Sequence, residues 1–173
     1  MCRSSGACRK LWVFDFDDTL VKSDSRVFLT KADGSSVVLT PAQFAGCHLD
    51  PGDEFDFREF RVLINARAIP HTDALLREAY EEHGPDRIVV LSARSVPEPI
   101  EEYLAAVGLL GPTIVALAGA DPQAKRAWLS GRLSVGDVDE LIFLDDSNRN
   151  VAAVELLRGD HPSVAFDIRF IRA

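Results

Sequence analysis

The segment Asp15-Phe16-Asp17-Asp18-Thr19 places three carboxylates directly after the apolar run Leu11–Phe14. Side chains two residues apart lie on the same side of an extended strand, so Asp15 and Asp17 project together from its end. Like charges held close together in a buried place are costly unless a positive charge lies between them. The segment therefore predicts a site for a divalent cation, and phosphate chemistry is the simplest use of such a site.

Further polar residues follow other apolar runs. Singly, each has an ordinary explanation as a turn, a capping hydroxyl or a solvated lysine. Ligands of open α/β sheets bind beyond the carboxyl ends of the strands, where these residues would meet. We therefore treat them as one candidate site with Asp15 and Asp17. The residues are Ser92, Lys125, Asp145 and Asp146.

The rest of the chain alternates between short apolar runs and helical patterns, which predicts a doubly wound α/β fold with a mostly parallel sheet. The predicted strands are Leu11–Phe14, Ile88–Leu91, Thr113–Leu117, Leu141–Leu144 and Val164–Ile168. The predicted helices are Thr72–His83, Pro97–Val107, a helix from Asp121-Pro122 to about Ser130, and one from Ser147 or Asn148 to about Arg158, which Gly159 would end.

Residues 21–69 interrupt this alternation, and we interpret them as an insertion after the first strand. A β-hairpin is predicted around Asp33-Gly34, with Val27–Thr30 and Val37–Thr40 as its strands. Short helices are predicted at 41–47 and 56–65, with a loop at 49–57. The chain is thus expected to be a single domain over 1–173, with its core formed by 11–20 and 70–173.

Composition limits the classes of partner. The net charge of −8 argues against a broad nucleic-acid-binding surface, and no apolar run is long enough to span a membrane. Three cysteines are a sparse, odd set, typical of a reducing compartment. We expect a cytoplasmic protein, and its oligomeric state cannot be predicted.

The motifs taken together resemble the haloacid dehalogenase-like phosphatase superfamily. Asp15 to Thr19 looks like its first motif, D-x-D-x-T, and Leu91-Ser92 looks like the second, an apolar strand that ends in Ser or Thr. Lys125 stands 20 residues before Asp145 and fits the third motif, while Asp145-Asp146 fits the acidic fourth. The resemblance covers 11–158 without the insertion, which would then be a small cap or flap on a Rossmann-like core.

The resemblance implies a magnesium-dependent phosphomonoester hydrolase that forms an aspartyl-phosphate. Asp15 would be the nucleophile, Asp17 the general acid and base, and Lys125 the group that neutralises charge. Asp18 replaces a glycine common in the family, so we expect from it a backbone contact and no catalysis. Substrate binding would fall to Thr19, Ser92, Ala93 and Arg94; for Arg94 a surface salt bridge is an equal alternative. Mg²⁺ would be held by Asp15, Asp17 through its backbone carbonyl, Asp145 and Asp146.

Other classes of protein share parts of this pattern. A calcium-binding EF-hand loop also begins D-x-D, but Thr19 and Leu20 occupy positions where it needs an acidic or amide residue and a glycine. A response-regulator receiver has similar groups, but its lysine comes near the end of the chain, whereas an acidic pair follows Lys125 here. A non-catalytic phosphate-binding module is the third alternative.

The substrate remains open between small molecules and exposed macromolecular ends. The turn Leu91-Ser92-Ala93-Arg94 resembles the phosphatase domain of phage polynucleotide kinases, which removes 3′-phosphates, although no kinase P-loop occurs in the sequence. The insertion carries six basic and seven acidic residues, a net charge of −1. A 3′-phosphatase acting on nucleic-acid ends, a nucleotidase and a phosphatase of other small phosphoesters are all consistent with these features.

Overall fold

The computed structural model describes residues 8–40, 43–44, 47 and 50–172. Its centre is a parallel sheet. The three middle strands are nearly continuous apolar runs buried on both faces, as the sequence predicts, whereas the two edge strands are only partly buried. The strands coincide with the five predicted runs to within two residues at each end. They are β1 (Lys10–Phe14), β7 (Ile88–Ser92), β8 (Thr113–Ala116), β9 (Glu140–Asp145) and β10 (Ala165–Phe170).

Helices cover both faces of this sheet, so the α/β class is confirmed. They are α1 (Pro70–His83), α2 (Glu98–Ala106), α3 (Pro122–Leu133), α4 (Asn148–Glu155) and the short α5 (Leu157–Asp160). The side chains of Asp121 and Ser147 cap α3 and α4, because each accepts a hydrogen bond from the backbone two or three residues later. Gly159 does not end a helix as predicted: it lies within α5 and lacks the left-handed conformation of a C-terminal cap.

Alternate residues of the strands face two separate apolar cores. On one face, Trp12 and Phe14 pack with Leu76 of α1 and Leu104 of α2. On the other face, residues such as Leu11 and Val13 of β1 pack with side chains of α3 and α4.

The five parallel strands lie in the order β10-β9-β1-β7-β8. The point at which the chain changes the side on which it adds strands lies between β1 and β9. The chain first builds outward from β1 through β7 to β8, and then returns to the other side of β1 with β9 and β10. In sheets of this kind, a crevice opens beyond the carboxyl ends of the two central strands. Asp15 and Asp145 occupy those two ends.

The insertion forms two small antiparallel sheets. β2 (Val21–Lys22) pairs with β6 (Arg67–Ala68) where the insertion leaves and rejoins the core. The predicted hairpin is confirmed as β3 (Val27–Thr30) and β4 (Ser36–Leu39), with Gly34 in the left-handed region at φ 83°.

Two predictions for the insertion are wrong. The predicted loop at 49–57 contains β5 (Glu54–Asp56), which pairs with the free edge of β3. The predicted helix at 56–65 is only a 3-10 turn at Arg58–Arg61, because the carbonyls of Phe60 and Val62 accept hydrogen bonds from the distant Arg94 instead of from a helical backbone. The helix predicted at 41–47 lies mostly outside the described residues. Among the described helices, none has the length and apolar character needed to cross a membrane.

Candidate active site

Asp15 and Asp145 lie side by side because their strands are neighbours. β1 pairs with β9 in parallel, and the Asp15 N–H donates to the Leu144 carbonyl at 2.9 Å. Both carboxylates are buried, Asp145 completely. The sheet itself thus brings together two acidic residues that are far apart in the sequence.

Lys125 reaches these carboxylates from α3. Its Nζ lies 2.6 Å from Asp15 Oδ1 and 2.7 Å from Asp145 Oδ2, and all three side chains are at least nine-tenths buried. Burial lowers the pKa of Lys125, but attraction by Asp15 and Asp145 raises it by more, so the ammonium group stays charged. Lys125 is therefore an internal cation shared between two strand ends, and not the solvated helix residue for which it would be taken if considered singly.

A third carboxylate completes an acidic cluster. Oxygen atoms of Asp15, Asp145 and Asp146 lie within 4.8 Å of one another. Burial raises the pKa of Asp15 well above its usual value; Lys125 opposes this rise, and Asp145 and Asp146 add to it. Three carboxyl groups thus face one ammonium group, and the surplus of negative charge calls for a proton or a cation. Carboxylate oxygens are hard ligands, so the cluster fits Mg²⁺.

Asp146 differs from its neighbours because it is only half-buried and has no lysine partner among the described residues. Burial, together with the charges of Asp145 and Asp18, raises the pKa of Asp146 to about 7. The metal-free native state therefore keeps a proton at Asp146 that the unfolded chain releases near the ordinary value of 3.8. Because the native state binds more protons between these values, its stability falls as the pH rises through them.

We expect the Asp146→Asn substitution to remove this pH dependence. In EDTA at pH 8, the variant should be more stable than the parent protein by on the order of 1 kcal/mol, with solvent screening allowed for. The gain should shrink at pH 5, where the Asp146 carboxyl of the native parent is protonated. Urea unfolding at both pH values measures it, with Asp86→Asn at an exposed position as the matched control. An equal gain at pH 5 and pH 8 would contradict the assignment.

Asp145 is fixed by the start of α4. Asn150 donates from Nδ2 to both Asp145 oxygens, at 2.9 and 3.0 Å, and the Ser147 N–H donates to Oδ1 at 2.8 Å. Sequence reasoning does not include Asn150 among the site residues and so misses this contact. The available signal is its spacing, since a residue five positions after the end of a strand lies on the first turn of the following helix and can point back to the strand.

Asp17 points to a different partner. Its carboxylate accepts two hydrogen bonds from Arg94, from Nε at 2.8 Å and from Nη2 at 2.7 Å. A surface salt bridge is one of the two roles that the sequence leaves open for Arg94. The salt bridge is present, but it does not lie at the surface, because Arg94 is buried. Among the described residues, the acidic cluster does not include the Asp17 carboxylate. The expected metal ligand of Asp17 is therefore its backbone carbonyl, as the resemblance implies.

Arg94 also ties the insertion to the core. Its Nη1 donates to the carbonyls of Phe60 and Val62, at 2.9 Å each, and its guanidinium lies over the rings of Phe16 and Phe60. Four of the five guanidinium N–H donors are therefore used, with at least one on each nitrogen. In this conformation Asp17 cannot give a proton to a leaving group unless its pair with Arg94 opens.

The remaining predicted residues occupy two kinds of position. Ser92 and Ala93 line the cavity in front of Asp15, and the Ser92 hydroxyl accepts from the Arg94 N–H at 3.2 Å. Thr19 instead belongs to the core: its hydroxyl is buried without a partner among the described residues, and its carbonyl accepts from the Thr72 hydroxyl. Asp18 makes the expected backbone contact, to the Val21 carbonyl, in a left-handed conformation at φ 57°.

The cavity in front of Asp15 and Lys125 has a volume of about 230 Å³ and is open to solvent. Sequence reasoning misses two parts of its lining. One is Arg149, an exposed cation that makes no ion pair within the described part of the chain. The other is a set of phenylalanines from the insertion, namely Phe44, Phe57 and Phe60.

Comparison of the sequence with protein-family models finds no match, and comparison with curated proteins finds none either. The function is therefore inferred from the side chains of the site.

Proposed function

We propose that this protein is a magnesium-dependent phosphomonoester hydrolase of the haloacid dehalogenase-like superfamily, and that Asp15 forms an aspartyl-phosphate. The observation that carries the proposal is the position of Lys125, whose Nζ is shared between Asp15 and Asp145 beside Asp146. A buried cation against three carboxyl groups, at the point where the sheet order reverses, suits the binding of phosphate together with a metal ion.

The metal would be held by carboxylates of the acidic cluster and by the Asp17 carbonyl. When bound, Mg²⁺ neutralises charge on the phosphate oxygens and on Asp15. The insertion, as a small cap on this site, would control which substrates enter the cavity.

The first chemical step belongs to Asp15. The hydrogen bond from Lys125 occupies Oδ1, so we assign the attack on phosphorus to Oδ2. A bond forms between Asp15 and phosphorus while the bond to the leaving oxygen breaks. Asp17, which takes up a proton from the solvent once its pair with Arg94 has opened, gives that proton to the leaving oxygen. For this to happen the Asp17–Arg94 pair must open, and we propose that the substrate phosphate takes over the guanidinium.

The second step returns the site to its starting state. Asp17, now a carboxylate, accepts a proton from a water molecule whose oxygen attacks phosphorus. The bond between phosphorus and Asp15 breaks, which releases inorganic phosphate and restores the Asp15 carboxylate. Asp17 then gives its proton to the solvent and pairs again with Arg94. Lys125 remains charged throughout and balances the negative charge that moves between Asp15 and the phosphoryl group.

The strand order argues against the receiver alternative. In chain order the five parallel strands are arranged 3-2-1-4-5, whereas receivers have the flavodoxin-like order 2-1-3-4-5. The strand order does not distinguish a non-catalytic phosphate-binding module from an enzyme, and a measurement of turnover is needed to do so.

A substrate panel in Mg²⁺ tests the proposed function. Nucleotides, 3′-phosphorylated oligonucleotides, phosphopeptides, sugar phosphates and an aryl phosphate should be compared with and without EDTA. We expect release of inorganic phosphate from at least one of them, and its loss in EDTA. Metal binding without any turnover would favour the binding module, and stable retention of phosphate on the protein would favour a receiver-like role.

The Asp145→Asn variant tests the metal assignment. The amide keeps the shape of the side chain but removes one negative charge and an oxygen ligand. We expect the Mg²⁺ concentration for half-maximal activity to rise on the order of 100-fold. A titration of activity with Mg²⁺ measures this, with Asp86→Asn as the control. An unchanged Mg²⁺ requirement would remove Asp145 from the metal site.

A further inference from the structure

Three phenylalanines of the insertion line the same cavity as Asp15 and Lys125. We call Phe44, Phe57 and Phe60 the aromatic wall. Its rings meet edge to face, with centroids 5.2 Å apart between Phe44 and Phe57 and 6.0 Å apart between Phe57 and Phe60. The mouth of a strongly charged site thus carries an extended apolar surface.

Packing of the insertion does not by itself account for this surface. Phe55 belongs to the same cluster, with its ring 5.1 Å from that of Phe44, but it is not part of the cavity lining. Phe57, by contrast, is 38% exposed and belongs to that lining. A large ring left partly in water beside a cavity gains free energy when a ligand covers it.

The charges around the cavity limit what the ligand can be. Of the cations that line it, Lys125 and Arg94 are already paired with carboxylates, and the described residues leave Arg149 without such a pair. Three alanines, Ala93, Ala118 and Ala120, add to the apolar lining. The whole chain has a net charge of −8. A long polyanion would find few partners here, whereas one phosphate joined to one apolar ring would find both of its halves matched.

We propose that the aromatic wall binds a planar ring in the leaving group, so that the substrates are small phosphomonoesters with an aromatic ring close to the phosphate. A ring that enters the cavity can stack on or lie edge to face with Phe57 while its phosphate lies at Asp15. The shared chemistry is the planar ring, whether it is a nucleobase or a phenol. The inference rests on the proposed function for its chemical step, but the binding of the ring does not depend on turnover.

Two kinds of measurement test the inference. In the first, kcat/KM is compared between aromatic phosphomonoesters (5′- and 3′-nucleoside monophosphates, phenyl phosphate) and aliphatic ones (glycerol and sugar phosphates). We expect the aromatic esters to be preferred by roughly tenfold or more. In the second, calorimetry in Mg²⁺ compares phenylphosphonate with methylphosphonate, which are bound but not hydrolysed. Phenylphosphonate should bind roughly tenfold more tightly.

The matched variants are Phe57→Leu within the wall and Phe55→Leu behind it. Phe57→Leu should lose most of both preferences, because it weakens the aromatic ligands more than the aliphatic ones, whereas Phe55→Leu should retain the preferences. Phe57→Tyr, which keeps the ring, should also retain them. Thermal unfolding of each variant establishes that it is folded.

The outcomes separate the two proposals. If the protein prefers phenylphosphonate but hydrolyses no phosphomonoester, ring binding stands and the proposed function falls. If it hydrolyses aromatic and aliphatic phosphomonoesters equally, ring binding falls and the hydrolase stands. If it binds the two phosphonates equally, or if Phe57→Leu weakens both classes alike, ring binding falls, and the substrate panel alone decides the hydrolase. A preference for nucleotides over phenyl phosphate would identify the ring as a nucleobase.

Discussion

The Asp15→Asn variant should lose turnover by at least about 1000-fold while it keeps its fold. The amide has almost the shape of the carboxyl group but cannot form an acyl phosphate. Its effect on stability should be small, because Asp15 is one of three carboxyl groups that face a single lysine and the cluster already holds a surplus of negative charge. Turnover is measured as phosphate release from the best substrate in Mg²⁺. Stability is measured by urea unfolding.

The matched control for this prediction is Asp18→Asn. Asp18 lines the same cavity and carries the same charge, but among the described residues only its backbone makes a hydrogen bond, to the Val21 carbonyl. We expect it to change turnover by less than about tenfold. Full activity in Asp15→Asn, or an equal loss in both variants, would contradict the assignment of Asp15 as nucleophile.

The Lys125→Met variant should lose both activity and stability. Methionine replaces the buried chain of the lysine but leaves Asp15 and Asp145 close together without a cation. Removal of one member of a buried ion pair typically costs about 3–5 kcal/mol, and we expect a loss of this size in EDTA. The loss should be greater at pH 8 than at pH 5, because protonation of the unpaired carboxyl groups relieves their repulsion.

Magnesium provides a second readout for this variant. If the cation site is formed by the same carboxylates, Mg²⁺ should restore part of the lost stability in Lys125→Met without restoring turnover. Lys31→Met, at an exposed position of the insertion, is the control and should show neither effect. A metal-free Lys125→Met protein as stable as the parent would mean that the lysine does not balance the buried carboxylates.

The parallel sheet could be predicted because its strands are short continuous apolar runs separated by helical patterns. β1 and β9 both end in acidic pairs, and the general rule that parallel strands share a carboxyl edge is sufficient to bring Asp15 and Asp145 together. Lys125 could be placed because its helix packs on the same sheet. Local signals also located the α3 cap at Asp121, and limited the start of α4 to Ser147 or Asn148, of which Ser147 is the cap.

What could not be predicted depends on contacts between distant segments. β5 has a weak pattern of its own and is a strand because β3 offers it a free edge. The pairing of Asp17 with Arg94 joins residues 77 positions apart, and the same arginine determines the backbone near Phe60 and Val62. The aromatic wall likewise gathers rings from two separated parts of the insertion. No local period in the sequence indicates any of these contacts.

Chemical trapping of the intermediate is the most direct test of the aspartyl-phosphate mechanism. The protein is mixed with its best substrate and Mg²⁺, quenched during turnover and reduced with borohydride, which converts an acyl phosphate on aspartate to homoserine. Peptide mass spectrometry then identifies the modified residue. We predict homoserine at position 15, dependent on both substrate and Mg²⁺ and absent from Asp15→Asn. Sustained turnover with unmodified Asp15 would contradict the mechanism, since water would then attack the substrate directly.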